Sequence, residues 1–243
     1  MELSNLLKAV HKVRELSKPR KFKQSFDLII NLKDINLRSA DQQIEFFTQL
    51  HYSRGTKTKI CALVGPELES QAREIFDTTI PVSDFQKYAN NRKAQKELAS
   101  AHDFFVAQAT VMAKVGQIFG KVFAPRGKMP NPKAGCVVPP NANLRPLYEK
   151  LQKTIKISAK QRPMIQLTVG KEDSKDEEVA DNILTIYDQL VHHLPNEKHN
   201  IKSVYLKLTM GRPVKIAEDG SPIVKETNNN RQQKKSEPLN QKT

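Results

Sequence analysis

The sequence predicts an α/β protein in two parts: a self-contained α/β domain inserted into an α+β domain whose strands come from both ends of the chain. Three observations carry this. Toward each end, apolar residues alternate with polar ones, as in strands that bury a single face. In the middle, short apolar runs alternate with helical patterns, the mark of parallel βαβ units with right-handed crossovers. After Ile216 the composition changes again. With Ser53-Arg54-Gly55 marking the first crossing, the expected boundaries are 1–56 with 154–216 for the split domain, 57–153 for the insert and 217–243 for a tail.

Taken in order, Leu3, Leu6, Leu7, Val10, Val13 and Leu16 recur at spacings of three and four, which predicts an amphipathic helix. Ser17-Lys18-Pro19 ends it, because the residue before a proline is pushed out of the helical region. Phe26, Leu28, Ile30 and Leu32 then alternate with Asp27 and Asn31 as a strand. The middle reads as a strand from Lys59 to Val64, a helix opened by Pro66 and running to Phe76, and a strand from Thr79 to Val82. A charged helix from Lys87 to Leu98, a strand from His102 to Ala107 and a helix from Val111 to Phe119 follow.

Two further alternations, Ile165-Leu167-Val169 and Val204-Leu206-Leu208, predict the remaining strands of the split domain. Between them, Ser174 and Glu177 read as a capping box, with Asp176, Glu177 and Glu178 placed on the positive end of the helix dipole. Val179, Ile183, Ile186, Tyr187, Leu190 and Leu194 form that helix's buried stripe. Its acidic first turn repels phosphate, so the helix is expected to face away from nucleic acid. Residues 226–243 are rich in Asn, Gln and Lys with almost no apolar side chains, and cannot offset their own ordering entropy, so a disordered tail is expected.

Charge narrows the function. The chain carries a formal net charge of +14 over 243 residues. Between Lys114 and Lys171 lie twelve Lys or Arg and one acid, Glu149; twelve minus one gives +11 within that block. So concentrated an excess favours a polyanion that releases condensed counterions on binding. Aromatics are only 6% with no Trp, which argues against a stacking platform for unpaired bases. No apolar stretch approaches the ~18 residues a membrane span needs, no basic and apolar leader opens the chain, and the two cysteines, Cys61 and Cys136, have no second pair to make a zinc site. These features predict a cytoplasmic protein with no membrane partner and no cofactor.

Catalytic motifs fail on inspection. Gly127-Lys128 invites a phosphate-loop reading, but the preceding glycine, Gly120, is too far away and Met129 replaces the Ser or Thr that would hold magnesium. No G-x-G-x-x-G follows the insert's first strand. His192 and His193 suit the end of a helix dipole, and His51, His102 and His199 have no ligand spacing. An enzyme acting on a phosphorylated substrate would need a phosphate cradle and an acid or base, and neither is visible. The run R-G-K-M-P-N-P-K-A-G, Arg126 to Gly135, is either a solvated loop or a stiff one that pre-organises Arg126, Lys128 and Lys133 for phosphate contacts. The run Leu208 to Pro213 is either a plain strand exit or a close-approach surface offering Thr209, Met210 and Gly211.

Those two runs together resemble the large-subunit ribosomal protein family of the L-one stalk, in its archaeal form, over roughly Leu3 to Ile216. The resemblance implies a split first domain and an inserted Rossmann-like second domain, no enzymatic activity, and binding to a ribosomal RNA helix-and-loop junction in the mobile stalk beside the exit site for transfer RNA. It implies as further partners the protein's own messenger RNA, which such proteins repress, and exit-site transfer RNA, with the protein a monomer off the ribosome. Carried over by motif, the RNA-binding residues are Lys21, Phe22 and Ser25, then Thr168, Gly170 and Lys171, then Thr209, Met210 and Gly211. Ser25 stands where the family often has threonine, Ala124 where it usually has glycine, and Arg212 intervenes before Pro213.

Overall fold

A helix and a strand from the start of the chain meet two strands and a helix from its far end, and the insert lies between them in sequence. The computed structural model describes residues 1–39 and 42–223. Helix α1 (Leu3–Glu15) buries Leu6, Ala9, Val10 and Val13, the stripe its periodicity calls for. Strand β1 (Ser25–Leu32) buries Phe26, Leu28, Ile30 and Leu32 on one face. It is central in a sheet with β8 (Met164–Lys171) on one side and β9 (Ile201–Leu208) on the other, both antiparallel to it. Helix α7 (Asp176–His193) covers the apolar face beside α1 with Val179, Ile183, Ile186, Tyr187 and Leu190. Truncating a fully buried ring such as Phe26 there would cost about 3–5 kcal/mol, because the packed surroundings close such a cavity only in part.

The insert is a four-stranded parallel sheet in the order β4-β3-β5-β6, formed by β3 (Ile60–Val64), β4 (Thr78–Pro81), β5 (Phe104–Gln108) and β6 (Val137–Val138). All five residues of β3 are buried, and the pleat sends them to two cores. Ile60, Ala62 and Val64 pack under α2 (Glu69–Ile75) and α6 (Leu144–Lys153); Cys61 and Leu63 pack under α3 (Phe85–Ala89), α4 (Arg92–Ala101) and α5 (Met112–Phe123). Helices on both faces explain why the strand reads as a continuous apolar run. An antiparallel ribbon of β2 (Ile44–Gln49) and β7 (Thr154–Ala159) flanks the insert at both of its ends.

Several expectations are corrected. The charged helix is two helices: the first ends at Ala89 with Asn90 as its C-cap, and Asn91 accepts a hydrogen bond from the amide of Ala94, 3.0 Å away, to start α4. The helix expected from Pro66 begins at Glu69. The capping box does not form: the N-cap of α7 is Lys175, and the Ser174 hydroxyl accepts instead from the amide of Lys171 at 3.2 Å. The sequence also left β2, β6, β7 and α6 unassigned. Order runs past Ile216, since β10 (Val214–Ile216) and β11 (Pro222–Ile223) form an antiparallel pair at the sheet's edge. The rest of the expected tail, 224–243, lies outside the described residues.

Candidate nucleic-acid interface

The register of the five-stranded sheet gathers three distant segments at one end. Ser25 sits opposite Lys171, and Phe26 lies between Gly170 and Leu208. The amide of Thr209 donates to the Ser25 carbonyl at 3.0 Å. Thus Lys21, Phe22 and Ser25 enter β1 where Gly170 and Lys171 leave β8 and where Thr209, Met210 and Gly211 leave β9. Thr168 is slightly further in, its hydroxyl donating to Asp27 Oδ1 at 3.2 Å.

Within this group the work is divided. The hydroxyl of Thr209 accepts from the Ser25 amide at 3.0 Å and lies 3.3 Å from the Ser25 carbonyl, so it pins two strand ends together. The two glycines leave room for packing. A Cβ on Gly170 would come 2.8 Å from Val179 Cγ2, and one on Gly211 would collide with Ser17 Oγ. Two large apolar side chains of the group reach solvent: Phe22 is 51% and Met210 is 60% exposed. Large side chains held out in this way, with Lys21 and Arg212 exposed beside them in the chain, suit contact with a ligand that offers both flat faces and phosphate.

Sequence reasoning missed Gln24. Its side chain is 1% exposed, its Oε1 accepts from the amide of Met210 at 3.1 Å, and its Nε2 has no partner. Gln24 therefore sets where Met210 stands. Arg14 also went unnoticed; from α1 it donates to Asp176 at 2.7 Å and to the Ser174 carbonyl at 2.8 Å, fixing the loop after β8. Near them Lys23 pairs with Asp173 at 2.7 Å. That hydrogen bond raises the lysine's pKa and lowers the aspartate's.

The loop cations of the insert are elsewhere, and two of the three are tied to the end of α4. Arg126 Nη1 donates to the Lys96 carbonyl at 3.0 Å and to Ser100 Oγ at 2.9 Å. Lys128 Nζ donates to the Ala99 carbonyl at 2.7 Å and to the His102 carbonyl. Both cations thus sit on the C-terminal end of α4, where free carbonyls and the helix dipole favour positive charge. Burial lowers the pKa of Lys128. Lys133 alone of the three is exposed without a recorded side-chain bond among the described residues.

Nucleophilic chemistry finds no support in the thiols: burial pushes Cys61 up to about 12 and Cys136 up to about 11. Among the described residues no group of three or more His, Cys, Asp or Glu is placed to hold a metal ion, and no helix is long and apolar enough to cross a membrane.

The chain's similarity to known proteins is extensive. It is 42% identical over 216 residues to the large ribosomal subunit protein uL1 of Methanothermococcus thermolithotrophicus, covering 89% of this chain and 99% of that protein. It is 38% identical to the protein of the same name from Methanocaldococcus jannaschii, covering 90% and 98%. With the one from Nanoarchaeum equitans it shares 40% identity, covering 85% and 97%. Residues 11–212 match the family model described as ribosomal protein L1p/L10e, a span that holds every predicted site residue. On this evidence the chain belongs to the ribosomal protein L1p/L10e family.

Proposed function

We propose that this protein is a constituent of the large ribosomal subunit that binds ribosomal RNA in the mobile stalk near the transfer-RNA exit site. The observation that carries the reading is the strand-end cluster, where Phe22 and Met210 stand exposed, the Met210 amide donates to Gln24 and the Ser25 amide donates to the Thr209 hydroxyl. Folded RNA is read largely by shape and by its 2′-hydroxyls, so a rigid surface with a few apolar and basic projections suits it. In this reading residues 1–56 and 154–216 form the RNA-binding domain and 57–153 an inserted domain whose cations, Lys133 foremost, attract phosphate without regard to sequence. The same strand-end surface takes the protein's own messenger RNA and represses it, exit-site transfer RNA is a further partner, and the protein is a monomer away from the ribosome.

The test is binding of a ribosomal RNA fragment containing the stalk's helix-and-loop junction, compared with a random duplex of equal length. Wild-type protein is expected to prefer the fragment, and Met210→Asp to lose that preference by setting a charge against phosphate. Equal binding of both RNAs by wild type would remove the specific surface from the account.

A further inference from the structure

Strand β9 and the hairpin of β10 and β11 part company beyond the pair of Val204 with Ile216. Strand β10 covers β9 only from Val204 to Leu206, whereas β9 continues back to Ile201 with a ladder partner on its β1 side alone. The hairpin closes on itself instead, the amide of Ala217 donating to the Ser221 carbonyl at 2.9 Å. The fork so formed holds a hollow of about 260 Å³. Ile201, Val204, Ile216 and Ile223 are among its walls, and Ile223 is exposed.

A gap at the corner of a sheet is often no more than loose packing, but this one has polar groups arranged around it. Tyr187 is only 3% exposed, yet its hydroxyl makes no hydrogen bond among the described residues and is not sealed off, so it opens on the hollow. Burial, with Glu218 and Asp188 nearby, raises its pKa, so it stays a donor at neutral pH. Lys198, Lys202 and Lys215 stand on the rim against one acid, Glu218. None of these lysines is in an ion pair among the described residues. The hollow is smaller than the roughly 300–1,000 Å³ of a small-molecule site, and its size suits a single apolar side chain. A bare length of strand beside such a hollow is what an added peptide strand uses, with its backbone on the edge and one side chain in the pocket.

We propose that this fork docks an extended acidic segment of a partner protein. The segment's backbone lies along Ile201–Ser203, one apolar side chain enters the hollow, and its carboxylates meet Lys198, Lys202 and Lys215. Charge and shape select this occupant. A nucleic acid would satisfy the lysines but has no apolar side chain for the hollow, and residues 224–243 of this chain carry five cations against two acids, which the same lysines repel. The fork is at the far end of β9 from Thr209, roughly 25 Å away at ~3.3 Å per residue. It therefore does not depend on the reading of the strand-end surface, and both surfaces can be occupied together.

Full-length protein is titrated with a fluorescent acidic nonapeptide that has one central leucine, and with its counterpart that has serine in that place. Wild type is expected to bind the leucine peptide with a micromolar Kd and the serine peptide about tenfold more weakly, as filling a pocket with one apolar side chain does. Ile223→Ser is expected to weaken the leucine peptide about fivefold and to leave the serine peptide as it was. Tyr187→Phe and Lys202→Gln should each weaken the leucine peptide about threefold, whereas Lys93→Gln, at a lysine exposed on α4, should change it by less than about twofold. Ile223 and Lys202 are both exposed, so these two variants keep the fold even if Tyr187→Phe does not. Equal binding of the two peptides, unchanged affinity in Ile223→Ser, or displacement of the leucine peptide by hexauridylate overturns the proposal. Tighter peptide binding in Leu239→Ser would make residues 224–243 the occupant, and dimers that the peptide dissociates would make it a second copy; either result also overturns it.

Discussion

Thr209 and Ser25 lie 184 residues apart in sequence, yet the Thr209 hydroxyl accepts from the Ser25 amide at 3.0 Å. This hydroxyl is occupied within the protein, so its value to RNA binding is indirect: it fixes the turn that carries Met210. Thr209→Val should therefore leave the Ser25 amide to water, at a cost of about 0.5–1.5 kcal/mol. Hydrogen exchange at that amide should accelerate and affinity for the cognate RNA should fall, whereas Thr209→Ser should behave as wild type. A valine variant with a protected Ser25 amide and weakened RNA binding would mean that the hydroxyl touches RNA directly.

Phe22 and Met210 separate binding from stability, because both are largely exposed. Phe22→Ala and Met210→Asp should each lower affinity for the stalk RNA by about tenfold or more, in line with loss of an anchoring side chain. Melting temperatures should stay within roughly 2 °C of wild type, as is usual for surface substitutions. A large melting shift in either variant would assign that side chain to packing.

The loop lysines should part company in the same two measurements. Lys128→Ala removes a cation from the end of α4 and should cost up to about 1 kcal/mol, or about 2–4 °C in a protein of this size. It should leave the salt dependence of RNA binding intact. Lys133→Ala should leave the melting temperature unchanged and reduce the slope of log affinity against log salt by about 0.7 to 0.9. The reverse pattern would put Lys128, not Lys133, on the phosphates.

Glu45 predicts a pH dependence. Burial works to raise its pKa, but hydrogen bonds from Lys156 and Lys160 outweigh this, and the net shift is downward from 4.5. A carboxylate whose pKa is lower in the folded state stabilises the protein above its ordinary value, and that contribution is lost as pH falls through the lowered value. Glu45→Gln should therefore melt below wild type at pH 7, with the gap closing as the pH is taken well below the ordinary glutamate range. A gap of constant size would show that the ion pairs contribute no proton-linked stability.

Where one face of an element is solvated, the sequence revealed it. In β1 and α1 the buried residues are those that the alternation and the three-to-four spacing select. The ribbon of β2 and β7 was harder to see. Helix α6 ends at Lys153 and β7 starts at Thr154 without a turn residue between them, and in β2 the third buried position is Thr48, whose hydroxyl has no partner. Helix α6 itself is masked by Pro146 in its first turn. At the candidate interface the motif residues were identifiable, but their division of labour was not. Gln24 reads as one more polar residue in a basic stretch until β9 brings the Met210 amide to it. The docking of Arg126 and Lys128 on α4 depends on where α4 ends, which no local pattern encodes.

The central place of β1 has a further consequence, for the newborn chain. This strand is synthesised early, yet both of its neighbours come late: its partner residues begin at Met164 on one side and Ile201 on the other. At ~5–20 residues per second, its two edges and its row of Phe26, Leu28 and Ile30 wait on the order of ten seconds for company. During that interval the strand is exposed to mispairing, and the surface assembled from Ser25, Lys171 and Thr209 does not yet exist. Competence to bind RNA through that surface therefore arrives only as synthesis nears its end, so a truncated chain cannot compete with a finished one for the same RNA.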